Sequence, residues 1–222
     1  MIRKAALLSS ASLLSFPTFA GTIVNWDFKS SGVPTQGAGS YQSTGGTTLT
    51  LSGSGLGISN FPVQSTNDKT GGLDIKFATT GFKDIQISFA AFALDAGAPN
   101  WLAIQYSTDG TNFFDTDEPA IAYATNEAYY PGFLDLPDVA NNASELTIRF
   151  VAQFSTSGGY DPVSPSGATY DPNATIAFSS FQATGNAVTV VPLPPAILAG
   201  AALMAMLPAG KKLRDLKLRK HS

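Results

Sequence analysis

Polar and apolar residues alternate along several short stretches of this chain, and no stretch of its middle sustains a helical apolar period. In Asp84-Ile85-Gln86-Ile87-Ser88-Phe89 every second position is apolar, which puts Ile85, Ile87 and Phe89 on one face of a strand. The alternation slips at Ala90-Ala91 and resumes with Phe92 and Leu94, the signature of a β-bulge. Leu102, Ile104 and Tyr106 share one side of a second strand, and Leu146, Ile148, Phe150, Ala152 and Phe154 one side of a third. Residues 22–28, 47–51, 73–77, 132–136 and 175–183 read as further strands, the last with a slip at Ser179-Ser180.

Glycine (21 residues) and proline (14) punctuate these strands with turn chemistry. About eight short strands with half-buried alternation predict an all-β fold: a two-sheet antiparallel β-sandwich, jelly-roll-like, with a closed barrel as the alternative. Residues 31–46 are polar and Gly-rich and predict a long surface loop. In the 104–114 segment, Asp109-Gly110 supplies the positive φ of a hairpin turn between apolar flanks. The Tyr-Ser-Thr-Asp-Gly-x-x-Phe string there resembles hairpins of many bacterial secreted β-sandwich domains.

The two ends are of another kind. Arg3 and Lys4, an apolar stretch to Phe16 and a small-x-small Thr18-Phe19-Ala20 read as a cleavable signal peptide over residues 1–20. At the other end Val191-Pro192-Leu193-Pro194-Pro195 precedes a charge-free segment, 196–210, which predicts a transmembrane helix. At about 1.5 Å per residue its fifteen residues cover roughly 22 Å of a hydrocarbon core about 30 Å thick, so the span is short. Lys211, Lys212, Arg214, Lys217, Arg219 and Lys220 then form a basic cytoplasmic stop over 211–222.

A Val-Pro-Leu-Pro motif, a short apolar helix and a basic end, in that order, resemble the PEP-CTERM sorting signal in its VPLP-type variant. The resemblance is limited to the tail. It implies an exported protein of a Gram-negative bacterium, held in the inner membrane and processed at the proline motif by an exosortase-type membrane protease or transpeptidase. Its destination would be the cell surface or an extracellular, exopolysaccharide-rich matrix. Leu193 stands where the common form has Glu, and Asp215 interrupts the basic run. A plain C-terminal anchor is the alternative. Between the ends lie a domain of residues 21–185 and a linker with the proline motif, 186–195.

Charge narrows the partners. The whole chain is net −3, but residues 21–210 hold fifteen acids and only Lys29, Lys69, Lys76, Lys83 and Arg149, a net of −10. Such a surface repels nucleic acid and favours cations. There is no cysteine, and the single histidine is His221, so the domain has no disulfide, thiolate, Ser-His-Asp or histidine-metal chemistry. No cofactor is implied, with Ca²⁺ as the exception to consider: Asp115, Asp117 and Glu118 cluster after the hairpin, without the spacing of an EF-hand.

The segment 155–173 repeats Tyr160-Asp161-Pro162 as Tyr170-Asp171-Pro172. A tyrosine ring beside a carboxylate suits a sugar, stacking on its apolar face and accepting its hydroxyl protons. Alternatively the tyrosines cover the sandwich edge. The function expected from all this is a non-catalytic exported surface or matrix protein associated with exopolysaccharide. The alternative is a carbohydrate-binding module, with Ca²⁺ as a stabilising ion.

Overall fold

The computed structural model describes residues 20–117, 119–122, 128–130, 132–164 and 167–188. Its strands are β1 (Ala20–Asp27), β2 (Gly39–Thr44), β3 (Thr48–Ser52), β4 (Gly55–Ser59), β5 (Gly72–Phe77), β6 (Phe82–Ala93) and β7 (Trp101–Ser107), followed by β8 (Phe114–Asp115), β9 (Ala120–Ala122), β10 (Tyr129–Tyr130), β11 (Phe133–Asp135), β12 (Leu146–Ala152) and β13 (Ile176–Ala187). They form two antiparallel sheets, and among the described residues the only helical element is a 3₁₀ turn, Asp138–Ala140. One sheet has six strands in the order β11-β6-β13-β4-β3, with β1 also on β13. The other has seven in the order β10-β9-β7-β12-β5-β2, with β8 also on β7.

The inward rows are those the alternation predicts. Ile85, Ile87 and Phe89 of one sheet face Leu102, Ile104, Ile148 and Phe150 of the other, all buried. Phe89 and Phe178 meet Phe150 across the core, each with ring centroids 4.8 Å from it. Each such residue contributes roughly 1.5–3 kcal/mol by leaving water, so packing alone accounts for a core that has no disulfide.

Two expectations need correction. In β6 the alternation does not slip at Ala90-Ala91: Ala91 and Ala93 continue the inward row, while Leu94 is exposed. The extra residue is Ser179 of β13, where the register jumps between Phe178, opposite Ala91, and Ser180, opposite Ala90. Two alanines in series mimic a slip because alanine suits either face. Residues 31–46 are not all loop, since 39–44 form the edge strand β2, paired to β5 in the register Tyr41 to Ile75. An edge strand needs only one inward apolar side chain, and here Tyr41 packs edge-on against Phe28 at 5.6 Å. The paired strands run from β1, which begins at Ala20 opposite Asn186, to the end of β13 at Ala187.

Candidate functional site

The hairpin between β7 and β8 starts the site. Gly110 has φ +71°, and Asp109 ties the turn together. Its carboxylate accepts from Thr111 N at 2.8 Å, from Asn112 N at 2.7 Å, from Asn112 Nδ2 at 2.7 Å and from Ser107 Oγ at 2.9 Å. Those bonds, from Asn112 first, hold the Asp109 carboxyl far below its ordinary range. The fixed turn sets the register Tyr106 to Phe114 and Gln105 to Asp115.

Register then builds a polar row across the outer face of the seven-stranded sheet. Gln42, Asp74, Arg149, Gln105 and Asp115 lie opposite one another on β2, β5, β12, β7 and β8. Arg149 donates to both oxygens of the buried Asp74, Nε to Oδ1 at 2.7 Å and a terminal nitrogen to Oδ2 at 2.9 Å. Its guanidinium lies 3.4 Å from the centre of the Phe113 ring. At the end of the row Asp115 accepts from Gln105 Nε2 at 2.8 Å and from Lys69 Nζ at 2.5 Å. Partial burial pushes the Asp115 carboxyl up, but the bonds from Lys69 and Gln105 and the charge of Lys69 together outweigh it and leave it below its ordinary value.

On the edge of the other sheet, β11 points Leu134 inward and leaves Phe133 and Asp135 outside. Asp135 accepts from Gln86 Nε2 at 2.6 Å, and Phe133 is 72% exposed. Between this edge and β8 runs a groove of about 640 Å³, lined among others by Tyr106, Asp115, Asp117, Phe133, Asp135 and Pro137. Tyr106 stacks on Phe114 at 5.8 Å with 30° between the rings. The groove continues in two directions. A hollow of about 170 Å³ shares Asp115, Thr116 and Asp117 with it and adds Lys69 and Gln153. Another of about 440 Å³ shares Asp135 and Leu136 and adds Asp84, Asp138 and Asn186.

Of the acids singled out after the hairpin, Asp115 and Asp117 both line the groove, while Glu118 lies outside the described residues. Among the described residues no group of three His, Cys, Asp or Glu side chains is placed to hold a metal ion, and Asp115 is engaged by Lys69 and Gln105.

The Tyr-Asp-Pro repeat is elsewhere, and its rings are packed, as in the reading that has the tyrosines cover the sandwich edge. Tyr160 is 1% exposed: its hydroxyl donates to Thr66 O at 3.1 Å and Asn67 O at 3.0 Å, and its N–H to Gln64 Oε1 at 2.9 Å. Tyr170, half-buried, donates to Pro62 O at 2.7 Å. Asp161 gives its carbonyl to Asn100 N at 2.8 Å and its carboxylate to Ser157 Oγ at 3.3 Å, and Asp171 accepts from Asn173 N at 2.9 Å. The four residues therefore anchor neighbouring loops. One of those loops carries Lys69, whose φ is +56° and whose N–H donates to Ala152 O at 3.0 Å while its ammonium reaches Asp115.

Tyr106, Phe133, Asp135 and Lys69 are the site residues that sequence reasoning missed. The strand 132–136 is legible, but Phe133 and Leu134 are adjacent and equally apolar, so nothing local says which one faces out.

The proline motif from Val191 to Pro195, the apolar segment and the basic residues from Lys211 to Lys220 all lie outside the described residues, as do residues 1–19. Among the described residues no helix is long and apolar enough to cross a membrane.

No protein-family model matches the chain, and no curated protein does. Among solved structures it is similar to a xylan-binding module, CBM15, at 12% identity over 78% of this chain and all of that one, with a TM-score of 0.44. It is also similar to the CBM22-1 xylan-binding domain of Paenibacillus barcinonensis Xyn10C, at 12% identity over the same shares, with a TM-score of 0.36. Likenesses this distant bear on neither ligand nor site.

Proposed function

We propose that the domain is a non-catalytic carbohydrate-binding module that holds an extracellular polysaccharide in the groove between β8 and β11. The observation that carries this reading is the groove itself: an open trough of about 640 Å³ with the exposed ring of Phe133 and the half-buried ring of Tyr106 set among carboxylates. Its volume lies within the usual range of ligand sites, roughly 300–1,000 Å³. Aromatic faces stack on the apolar faces of sugar rings, and fixed carboxylates and amides accept or donate to the hydroxyls around their rims. The two adjoining hollows that share its lining residues suit an extended polymer better than a molecule enclosed on all sides.

The ends of the chain complete the proposal. The signal peptide and the VPLP-type tail support export through the inner membrane and sorting by an exosortase-type enzyme to the cell surface or matrix, where a polysaccharide ligand would be at hand. A domain that has no cysteine and no histidine before residue 221 fits binding rather than catalysis.

Affinity electrophoresis of the full chain through gels carrying neutral, acidic and amino-bearing polysaccharides tests this. At least one polymer should retard it, and Phe133→Ala should weaken that binding about three- to tenfold, the loss of one stacking ring. No retardation in any gel, or equal retardation of the variant, would overturn the reading.

A further inference from the structure

We infer that the groove selects a polysaccharide bearing free, protonated amino groups, such as a deacetylated hexosamine polymer, and excludes uronate-rich ones. This rests on the proposed carbohydrate site and adds the charge of its ligand.

Among the described residues the central groove is lined by Asp115, Asp117 and Asp135 and by no basic side chain. Its extension past Leu136 adds Asp138 and also Asp84, which pairs with Lys83 at 3.7 Å. Among the described lining residues Lys69 is the one basic side chain, in the hollow beyond Asp115, and Asp115 already holds it at 2.5 Å. Asp117 is exposed, and no side chain among the described residues pairs with it. Asp135 is exposed and has one oxygen on Gln86, with no ion pair among the described residues. A uronate entering here would bring its charge against Asp117 and Asp135, and the one basic side chain among the described lining residues, Lys69, is already held by Asp115.

The aromatic residues point the same way. An ammonium gains from the face of an aromatic ring as well as from a carboxylate, and the exposed ring of Phe133 lies in the same lining as Asp117 and Asp135. A neutral sugar would use the ring alone; an amino sugar uses ring and acids together. With residues 21–210 at net −10, the long-range field also draws cationic polymers and repels anionic ones.

The test compares glucosamine, N-acetylglucosamine and uronate oligosaccharides of equal length, titrated into the full chain at a pH of about 5.5, above the ordinary aspartate range. Glucosamine oligomers should bind at least tenfold tighter than their acetylated counterparts, with affinity falling as salt rises, and uronate oligomers should not bind. Asp117→Asn with Asp135→Asn should bring the glucosamine affinity down to the acetylated level. Asp27→Asn, an acid outside the trough, should leave it unchanged; a loss there equal to that at Asp117 would mean attraction to net charge alone and would overturn the inference. Equal or tighter binding of acetylated or uronate oligomers, still weakened by Phe133→Ala, would overturn the amine selectivity while leaving the carbohydrate site standing. Absence of binding by every polymer would remove both.

Discussion

Tyr160 and Tyr170, the two tyrosines of the repeated Tyr-Asp-Pro element, lie ring on ring with centroids 4.9 Å apart and 26° between their planes. Phe154 meets the Tyr160 ring edge-on at 4.7 Å, and both hydroxyls donate to backbone carbonyls of the 62–67 segment. The repeat is therefore a clamp on a loop. Tyr160→Ala should cost roughly 3–5 kcal/mol, as for other buried rings, and Tyr170→Phe about 1 kcal/mol for one lost hydrogen bond. Urea unfolding measures both; midpoints matching the parent protein would mean the rings are not clamped.

The same burial makes the domain sensitive to alkali. Burial raises the Tyr160 hydroxyl from 10.0 to about 12, with the charge of Asp68 adding to it, and raises those of Tyr170 and Tyr129 as well. A folded-state pKa above the unfolded value gives stability that is complete below pH 10 and is lost as pH rises through about 12. Thermal melts from pH 8 upward should fall in that window, together with a late rise in tyrosinate absorbance. A flat profile through pH 12 would contradict the buried hydroxyls.

Asp74 and Arg149 provide a test of the sheet that carries the groove. Asp74 is 2% exposed and bonded through both oxygens to Arg149. Asp74→Ala leaves the guanidinium without its carboxylate on a covered sheet face and should destabilise by roughly 3–5 kcal/mol. Asp74→Leu combined with Arg149→Met should recover much of that loss, because two apolar groups replace the pair. If the double variant is as unstable as the single one, the pair matters for more than its mutual neutralisation.

Period-two alternation made much of the fold legible. It identified the inward rows of β6, β7 and β12 because each faces the core on one side only, so register has a single solution. It did not reveal β4, whose Gly-Leu-Gly-Ile-Ser sequence carries too few side chains to show a period, nor β2, whose edge position tolerates polar residues on both faces. The candidate site was legible by half. Asp115 and Asp117 stand out as acids after a turn, but their partners Phe133 and Asp135 are brought to the same groove by the pairing of β11 with β6. Long-range pairing leaves no local trace. The Tyr-Asp-Pro repeat left two readings open in the sequence because tyrosine suits a stacking platform and a buried brace equally well.

Processing of the ends is an expectation from the sequence alone. In a host with an exosortase-type enzyme, the mature protein should begin at or near Gly21 and lose its tail close to the Pro192 to Pro195 motif. Mass spectrometry of the mature surface protein checks both termini. Recovery of the chain intact through Ser222 would favour a permanent anchor, and Pro192→Ala with Pro194→Ala should leave an uncut precursor if the motif is read.

The central claim is that a glycan lies between β8 and β11. Chemical-shift mapping with the tightest-binding oligosaccharide from the affinity gels tests it most directly. The account predicts that the largest perturbations fall on Tyr106, Thr116, Asp117, Phe133 and Asp135, with Tyr160 and Tyr170 unmoved. Perturbations centred on the Tyr-Asp-Pro loop, or on the outer face around Arg149, would contradict it.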